Sequence, residues 1–195
     1  MYILSIDMEA TGLRPDDLMI EFAAIPFNTE SCEFEKSLSF HRFIKCTSYE
    51  QLESSLDQWV RDHNRELITK AAEEGLGANE FKKQFGDYLQ SPEFKKIFPK
   101  KALLFGKSLS ALDLPFMTRD LGNDFMREHF EHKNLDLTSV AYCLGDMGLL
   151  PKGLDSSKAI MKYFNKGEVC HTALEDAVNT AEIYGELLNL SLIHI

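Results

Sequence analysis

The N-terminal part of the chain holds three apolar stretches of strand length, Tyr2 to Ile6, Leu18 to Phe27 and Phe34 to Ile44. The segments between them, Thr11-Gly12-Leu13-Arg14-Pro15-Asp16-Asp17 and Asn28-Thr29-Glu30-Ser31, are made of turn formers. This pattern predicts a three-stranded antiparallel meander, the third strand alternating only loosely at Phe34, Lys36, Leu38, Phe40, Arg42 and Ile44. From Ser48 to Phe98 the apolar period becomes helical, with Leu52, Leu56, Trp59 and Val60 followed by Leu67, Ile68, Ala71 and Ala72. Gly75-Leu76-Gly77 ends that section, and Asn79 is placed to cap a helix carrying Phe81, Phe85, Tyr88 and Leu89. Ala102 to Phe105 reads as a buried strand and Ala111 to Leu121 as a helix. Leu135 to Leu137 reads as a short strand, followed by a helix through Cys143 capped by Thr138. Helices over Ser156 to Phe164 and from Thr172 towards Leu190 close the chain. Strands followed by alternating helices and strands imply one α/β domain over 1–195, its mixed sheet combining the meander with parallel strands and flanked by helices.

A chain of 195 residues, 44% hydrophobic and 27% charged, suits a single globular core. No apolar run reaches the roughly 18 residues of a membrane span. Met1 to Asp7 lacks the basic start of a secretion signal, and the four cysteines have no Cys-x-x-Cys spacing. A reducing cytoplasm is the expected location. The net charge of −10 excludes a protein that coats DNA by neutralising many phosphates. Contact with nucleic acid would involve few phosphates, or metal ions that reverse the local sign.

Four acids sit against apolar segments. Asp7 and Glu9, two apart on the first strand, point to one face. Carboxylates so close repel unless a cation lies between them, and Mg²⁺ or Mn²⁺ suits such oxygen donors. Taken alone, the pair more readily marks a solvated strand end. In His171-Thr172-Ala173-Leu174-Glu175-Asp176-Ala177, Thr172 and Glu175 form a capping box, which sets His171 beside Asp176 where helix starts usually pair apolar groups. A surface His–Asp contact is the plain alternative. Asp113, in Leu112-Asp113-Leu114-Pro115-Phe116-Met117, opens a central helix, where a carboxylate also serves simply as a cap.

Together, Asp-x-Glu after the first strand, an Asp opening a central helix and His-x-x-x-x-Asp opening the last helix resemble the DEDDh (DnaQ-like) exonucleases. His171 to Ala177 matches the family's His-x-Ala-x-x-Asp-Ala, and Asp7 to Leu13 matches Asp-x-Glu-x-Thr-Gly-Leu. Within that family, Leu56 to His63, Gly106-Lys107-Ser108 and Phe130 to Asp136 are similar to segments of oligoribonuclease. The chain departs from it by an extra residue before Asp113, by lacking Ser-Gly-Leu after His63, and by carrying His132 in place of a tyrosine.

The resemblance implies a ribonuclease H-like fold and a 3′-to-5′ exonuclease that releases nucleoside 5′-monophosphates from single-stranded 3′ ends, short RNA above all. It further implies two divalent cations, Mg²⁺ or Mn²⁺, on Asp7, Glu9, Asp113 and Asp176, with His171 as general base. Ala10, Thr11, Gly12 and Leu13 would grip the terminal nucleotide, and a homodimer is implied by likeness to oligoribonuclease. Phe116 and Trp59 are candidates for stacking on a base, with core packing the alternative for each. A DNA-directed proofreading-type exonuclease, a non-catalytic nucleic-acid-binding module and another carboxylate metalloenzyme such as a phosphatase are the rival readings. His41, His129 and His194 read as surface or satisfied histidines, Lys95-Lys96 and Lys100-Lys101 as a solvated face, and Ser191 to Ile195 as an apolar tail for docking.

Overall fold

The computed structural model describes residues 1–154, 157–166 and 172–193. Its strands are β1 (Tyr2–Ala10), β2 (Met19–Asn28), β3 (Glu33–Phe34), β4 (Phe40–Phe43), β5 (Ala102–Gly106) and β6 (Phe130–Asp136). Its helices are α1 (Tyr49–Leu52), α2 (Gln58–His63), α3 (Arg65–Glu74), α4 (Ala78–Gln90), α5 (Pro92–Ile97), α6 (Asp113–Leu121), α7 (Asn123–His129), α8 (Leu137–Asp146), α9 (Ser157–Tyr163) and α10 (Ala173–Ile193).

The sheet runs β3-β2-β1-β5-β6, with β4 also paired to β2. β1 and β2 are antiparallel, whereas β1–β5 and β5–β6 are parallel. This is the mixed ribonuclease H-like sheet flanked by helices that the sequence implies. The expected third strand is divided: β3 and β4 both pair with β2, and a 3₁₀ turn at Lys36–Leu38 separates them. The weak alternation of that stretch reflects two short pieces rather than one ladder.

Both faces of β1 are covered because its apolar residues do not simply alternate with polar ones. Leu4 and Ile6 face a phenylalanine-rich core with Phe22, Phe40, Phe81 and Phe85, reinforced by Met117 and Leu121 of α6. Burying each such side chain contributes about 1.5–3 kcal/mol. Ile3 faces the opposite side with Phe105, Leu137, Ala181 and Leu187. A third cluster, with Ile20, Tyr49, Val60 and Ile68, holds α1 to α3 against the start of β2. No helix among the described residues is long and apolar enough to cross a membrane.

α10 lies close on β1 and β2 because its inner line is small. Ala173, Ala177 and Ala181 are fully buried, and a Cβ on Gly185, the next residue on that line, would stand 3.2 Å from both Cys32 Sγ and Phe27 Cζ. Ser5 Oγ donates to the Ala177 carbonyl at 2.7 Å, pinning the helix to the strand that carries Asp7 and Glu9.

Several boundaries differ from the sequence expectation. Gly77, not Asn79, precedes α4. Asp136, not Thr138, caps α8, accepting from the backbone N–H groups of Thr138 at 2.9 Å and Ser139 at 3.2 Å. Its second oxygen accepts from Leu109 N at 2.7 Å, which ties β6 to the loop leading into α6. β6 extends back to Phe130, and α7 follows α6 after Gly122, whose φ of +89° breaks the helical run. Ser156 and the end of the apolar tail lie outside the described residues.

Candidate active site

β1 brings Asp7 and Glu9 to the face covered by α10, opposite Ala23 and Glu21 of β2. The register slips between Glu9 and Ala10, where the chain begins to leave the sheet. Thr11 fixes the departing segment: its N–H donates to the Leu18 carbonyl at 2.9 Å and its Oγ1 accepts from Leu18 N at 2.8 Å. Gly12 has no room for a side chain, since a Cβ there would meet Asp17 Oδ2 at 2.3 Å. Arg14 holds Asp17 in that place through its backbone N–H at 2.7 Å and its guanidinium at 2.9 Å.

Asp113 enters from α6, of which it is the first residue, and it is buried. Its carboxylate accepts from its own backbone N–H and from that of Met8. Asp176, also buried, enters from the first turn of α10. Thr172 Oγ1 donates to Glu175 Oε2 at 2.7 Å at the start of that helix, while the Ala173 N–H donates to Glu21 Oε2 at 3.1 Å.

One oxygen each of Asp7, Glu9 and Asp176 lies within 4.8 Å of the other two. Asp113 stands outside that tight trio, yet its charge acts strongly on Asp7. Burial and then the Asp113 carboxylate push Asp7 well above the ordinary carboxylate range, against the opposing pull of Lys107. Glu9 rises to about 7, first through burial and then through Asp176 and Glu21, with Lys107 and a hydrogen bond from Asn64 opposing. Asp113 also rises to about 7, chiefly through burial, despite its two backbone hydrogen bonds and Lys107. Three acids that resist ionising, with Asp176 beside two of them, are a donor set short of positive charge. An all-carboxylate set of this kind fits a hard, oxygen-seeking divalent cation rather than a soft metal.

The other sequence candidates fall as follows. His171 lies outside the described residues. Ala10 is partly buried beside the apolar core, Thr11 is buried, and Leu13 is 73% exposed. Trp59 is 52% exposed on α2 and stacks on His63 at 4.6 Å between ring centroids. Phe116 is a correction: at 6% exposed it packs in the phenylalanine-rich core with the Arg119 guanidinium 4.7 Å above its ring, leaving no face for a base. Lys95, Lys100 and Lys101, read as a solvated face, line a cavity of about 760 Å³ with Arg127 and Lys133.

Three residues beside the acids were not anticipated from sequence. Asn64, 1% exposed at the junction of α2 and α3, hydrogen-bonds Glu9. Lys107, which follows β5, lowers Asp7, Glu9 and Asp113 together. Glu21 is fully buried, and His41, read as a surface or satisfied histidine, is satisfied by it at 2.5 Å. The signal for Glu21 was available: a carboxylate stands in the middle of Met19-Ile20-Glu21-Phe22-Ala23-Ala24-Ile25. Lys107 was marked only by its place in the Gly106-Lys107-Ser108 segment, and Asn64 carried no comparable sign.

Comparison with known proteins agrees with this fold. No curated protein matches the chain in sequence. Among solved structures, cell-death related nuclease 4 (CRN-4) superposes with a TM-score of 0.70 at 16% identity, over 96% of this chain and 64% of that one. The nuclease domain of 3′hExo, a DEDDh family member bound to rAMP, gives 0.66 at 18% identity, over 96% and 92%. Exonuclease I of E. coli, in complex with a dT13 oligonucleotide, gives 0.61 at 15% identity, over 99% and 43%. This chain therefore spans just under two thirds of the nuclease with the highest of these scores and less than half of exonuclease I. The model of the RNase T exonuclease family matches residues 4–184, almost the whole chain and every acid described above. With the acids gathered on a ribonuclease H-like sheet, the chain belongs to the RNase T exonuclease family.

Proposed function

We propose that the protein is a divalent-metal-dependent 3′-to-5′ exonuclease that releases nucleoside 5′-monophosphates from single-stranded nucleic acid, with short RNA as its substrate. The observation that carries this reading is the convergence of Asp7, Glu9 and Asp176 to within 4.8 Å, with Asp113 pressed electrostatically against Asp7. Asp7, Glu9, Asp113 and Asp176 would hold two Mg²⁺ or Mn²⁺ ions. When bound, such ions acidify a water molecule and offset the charge that develops on the phosphate and the leaving oxygen.

The protein's own groups do the rest. His171, five residues before Asp176, acts as general base and takes the proton of the attacking water. Attack at phosphorus breaks the bond to the 3′ oxygen of the preceding nucleotide, which leaves as a hydroxyl. Asn64 holds Glu9 in orientation. The exposed Leu13 offers an apolar surface beside the turn that follows Glu9, suited to the terminal base and sugar. Ala10, Thr11 and Gly12 supply backbone groups at the same place. Trp59, exposed on α2, is the second stacking surface.

DNA is the competing substrate, since exonuclease I was solved with a dT13 oligonucleotide whereas 3′hExo was solved with rAMP. Incubation with Mn²⁺ and end-labelled RNA and DNA of two to twenty nucleotides tests both points. Mononucleotides with a 5′-phosphate, accumulating fastest from short RNA, support the reading. Internal cleavage, or activity restricted to nitrophenyl phosphate, rejects it. Asp7→Ala should abolish release while leaving the folded circular dichroism spectrum unchanged.

A further inference from the structure

Glu21 lies on β2, fully buried, on the same face as Glu9, its register partner on β1. A buried carboxylate is costly unless both its oxygens find donors. Here they do. Oε1 is 2.5 Å from Nε2 of His41 on β4, and Oε2 accepts from the Ala173 backbone N–H at 3.1 Å. The short contact joins Glu21 and His41 by a hydrogen bond in which an ionised Glu21 would accept from Nε2. The remaining His41 surface is partly exposed, and its ring lies edge-on to Phe43 at 5.1 Å.

These two bonds have unequal consequences. The one to His41 joins two neighbouring strands that the sheet already joins. The one to Ala173 joins the sheet to the first residue of α10, whose N–H has no partner within the helix. Three residues further on, that same turn carries Asp176. The next residue, Ala177, accepts from Ser5 of β1, so the helix start is held to the sheet at two points that bracket Asp176. Glu21 is also not one of the three acids whose oxygens converge, and each of its oxygens already has a partner elsewhere.

We infer that Glu21, buttressed by His41, is a positioning residue for the cation site: it clamps the first turn of α10 to β2 and so sets Asp176 against Asp7 and Glu9. The inference rests on the reading that these three acids hold a divalent cation. Outer groups that orient ligands typically contribute tenfold to a hundredfold in metal affinity.

The experiment measures Mn²⁺ binding by calorimetry on the intact protein, alongside circular dichroism. Glu21→Ala should bind Mn²⁺ about tenfold more weakly while remaining folded. Glu21→Gln should bind nearly as wild type, because its Oε1 can still accept from Ala173 and its amide can donate to His41 Nε2 in the other neutral tautomer. A purely structural role would lower the melting temperature without moving the Mn²⁺ affinity of the folded protein, and a direct ligand role would make Gln as damaging as Ala. Either result overturns the inference. If Glu21→Ala does not fold, His41→Ala decides: weaker Mn²⁺ binding is expected, and wild-type affinity overturns the inference. Wild-type protein that binds no Mn²⁺ removes the cation reading together with this one, whereas wild-type binding with unchanged variants removes this inference alone.

Discussion

The Asp113 carboxylate accepts a hydrogen bond from the backbone N–H of Met8, the residue between Asp7 and Glu9. The acid that opens α6 is thereby tethered to the strand that carries the other two. This tether lies beyond the β1–β5 pairing at Leu4 and Ser5, where β1 would otherwise leave a donor unpaired. Asp113→Asn can keep both backbone hydrogen bonds through its amide oxygen while removing a charge that is unfavourable without metal. The expected outcome is loss of nuclease activity by at least about a hundredfold, with a higher melting temperature in metal-free buffer at pH 8. Each 1 kcal/mol relieved should appear as about 2–4 °C in a domain of this size. A lower melting temperature would mean that the charge stabilises the fold.

The raised carboxylates set a pH dependence of definite sign. Glu9 and Asp113 titrate near 7 in the folded protein and near 4 when unfolded. Between those values the native state binds more protons, so stability from these groups falls as pH rises. It is fully present below about pH 4 and lost as pH passes 7. Metal-free wild type should therefore lose melting temperature between pH 5 and pH 8 relative to the Glu9→Gln/Asp113→Asn double variant. Mn²⁺ binding at pH 6 should release protons, detected as a binding enthalpy that changes with buffer ionisation heat. An enthalpy independent of buffer would show the acids to be already ionised.

Asn64 holds Glu9 from the junction of α2 and α3, with its own side-chain oxygen buried and without a partner among the described residues. Asn64→Ala removes the hydrogen bond to Glu9, and about a tenfold fall in kcat is expected. Asn64→Asp places another carboxylate beside Glu9 and should cost more at pH 8 than Ala does. Saturating Mn²⁺ should recover part of the loss in both. Equal rates for wild type and Asn64→Ala would reduce the residue to a helix junction.

Trp59 is exposed although its spacing on α2 also suits a core position. A solvent-facing indole beside His63 offers a flat surface, and stacking on a base contributes about 1–3 kcal/mol. Trp59→Ala should raise KM for a short oligonucleotide about tenfold with kcat nearly unchanged, and fold stability should move by less than about 0.5 kcal/mol. An unchanged KM, or fluorescence that ignores saturating oligonucleotide, would assign the residue to the surface of α2 alone.

The parts of this molecule legible in the sequence are those whose signal is local. Asp7 and Glu9 share a face by strand geometry alone, and Thr172 and Glu175 mark the start of α10 by spacing. The alanines of α10 were harder to read, because small residues at four-residue steps signal close packing only once the sheet beneath them is known. Long-range partnerships were least legible. His41 meets Glu21 across two strands, and Glu21 reaches Ala173 over 152 positions of sequence. Phe116 shows the converse: three residues past Asp113 on the same helix, its ring belongs to the phenylalanine-rich core.

The close seat of α10 on β1 leads to the last prediction. Ala177, the residue after Asp176, is fully buried, and its carbonyl accepts from Ser5 of β1. Ala177→Leu must find room for three extra carbons where none is free, and overpacking of this kind costs about 1–3 kcal/mol. The strain is relieved most readily by lifting the first turn of α10, which draws Asp176 away from Asp7 and Glu9. Activity should therefore fall further than stability: at 25 °C, where the variant is still folded, the rate at low Mn²⁺ should drop at least about tenfold. Higher Mn²⁺ should restore it in part. Ala181→Leu, one turn further from Asp176, should cost similar stability with a smaller loss of rate. Equal rate losses in the two variants would show that the helix moves as a rigid rod, and that its first turn has no separate hold on the acids.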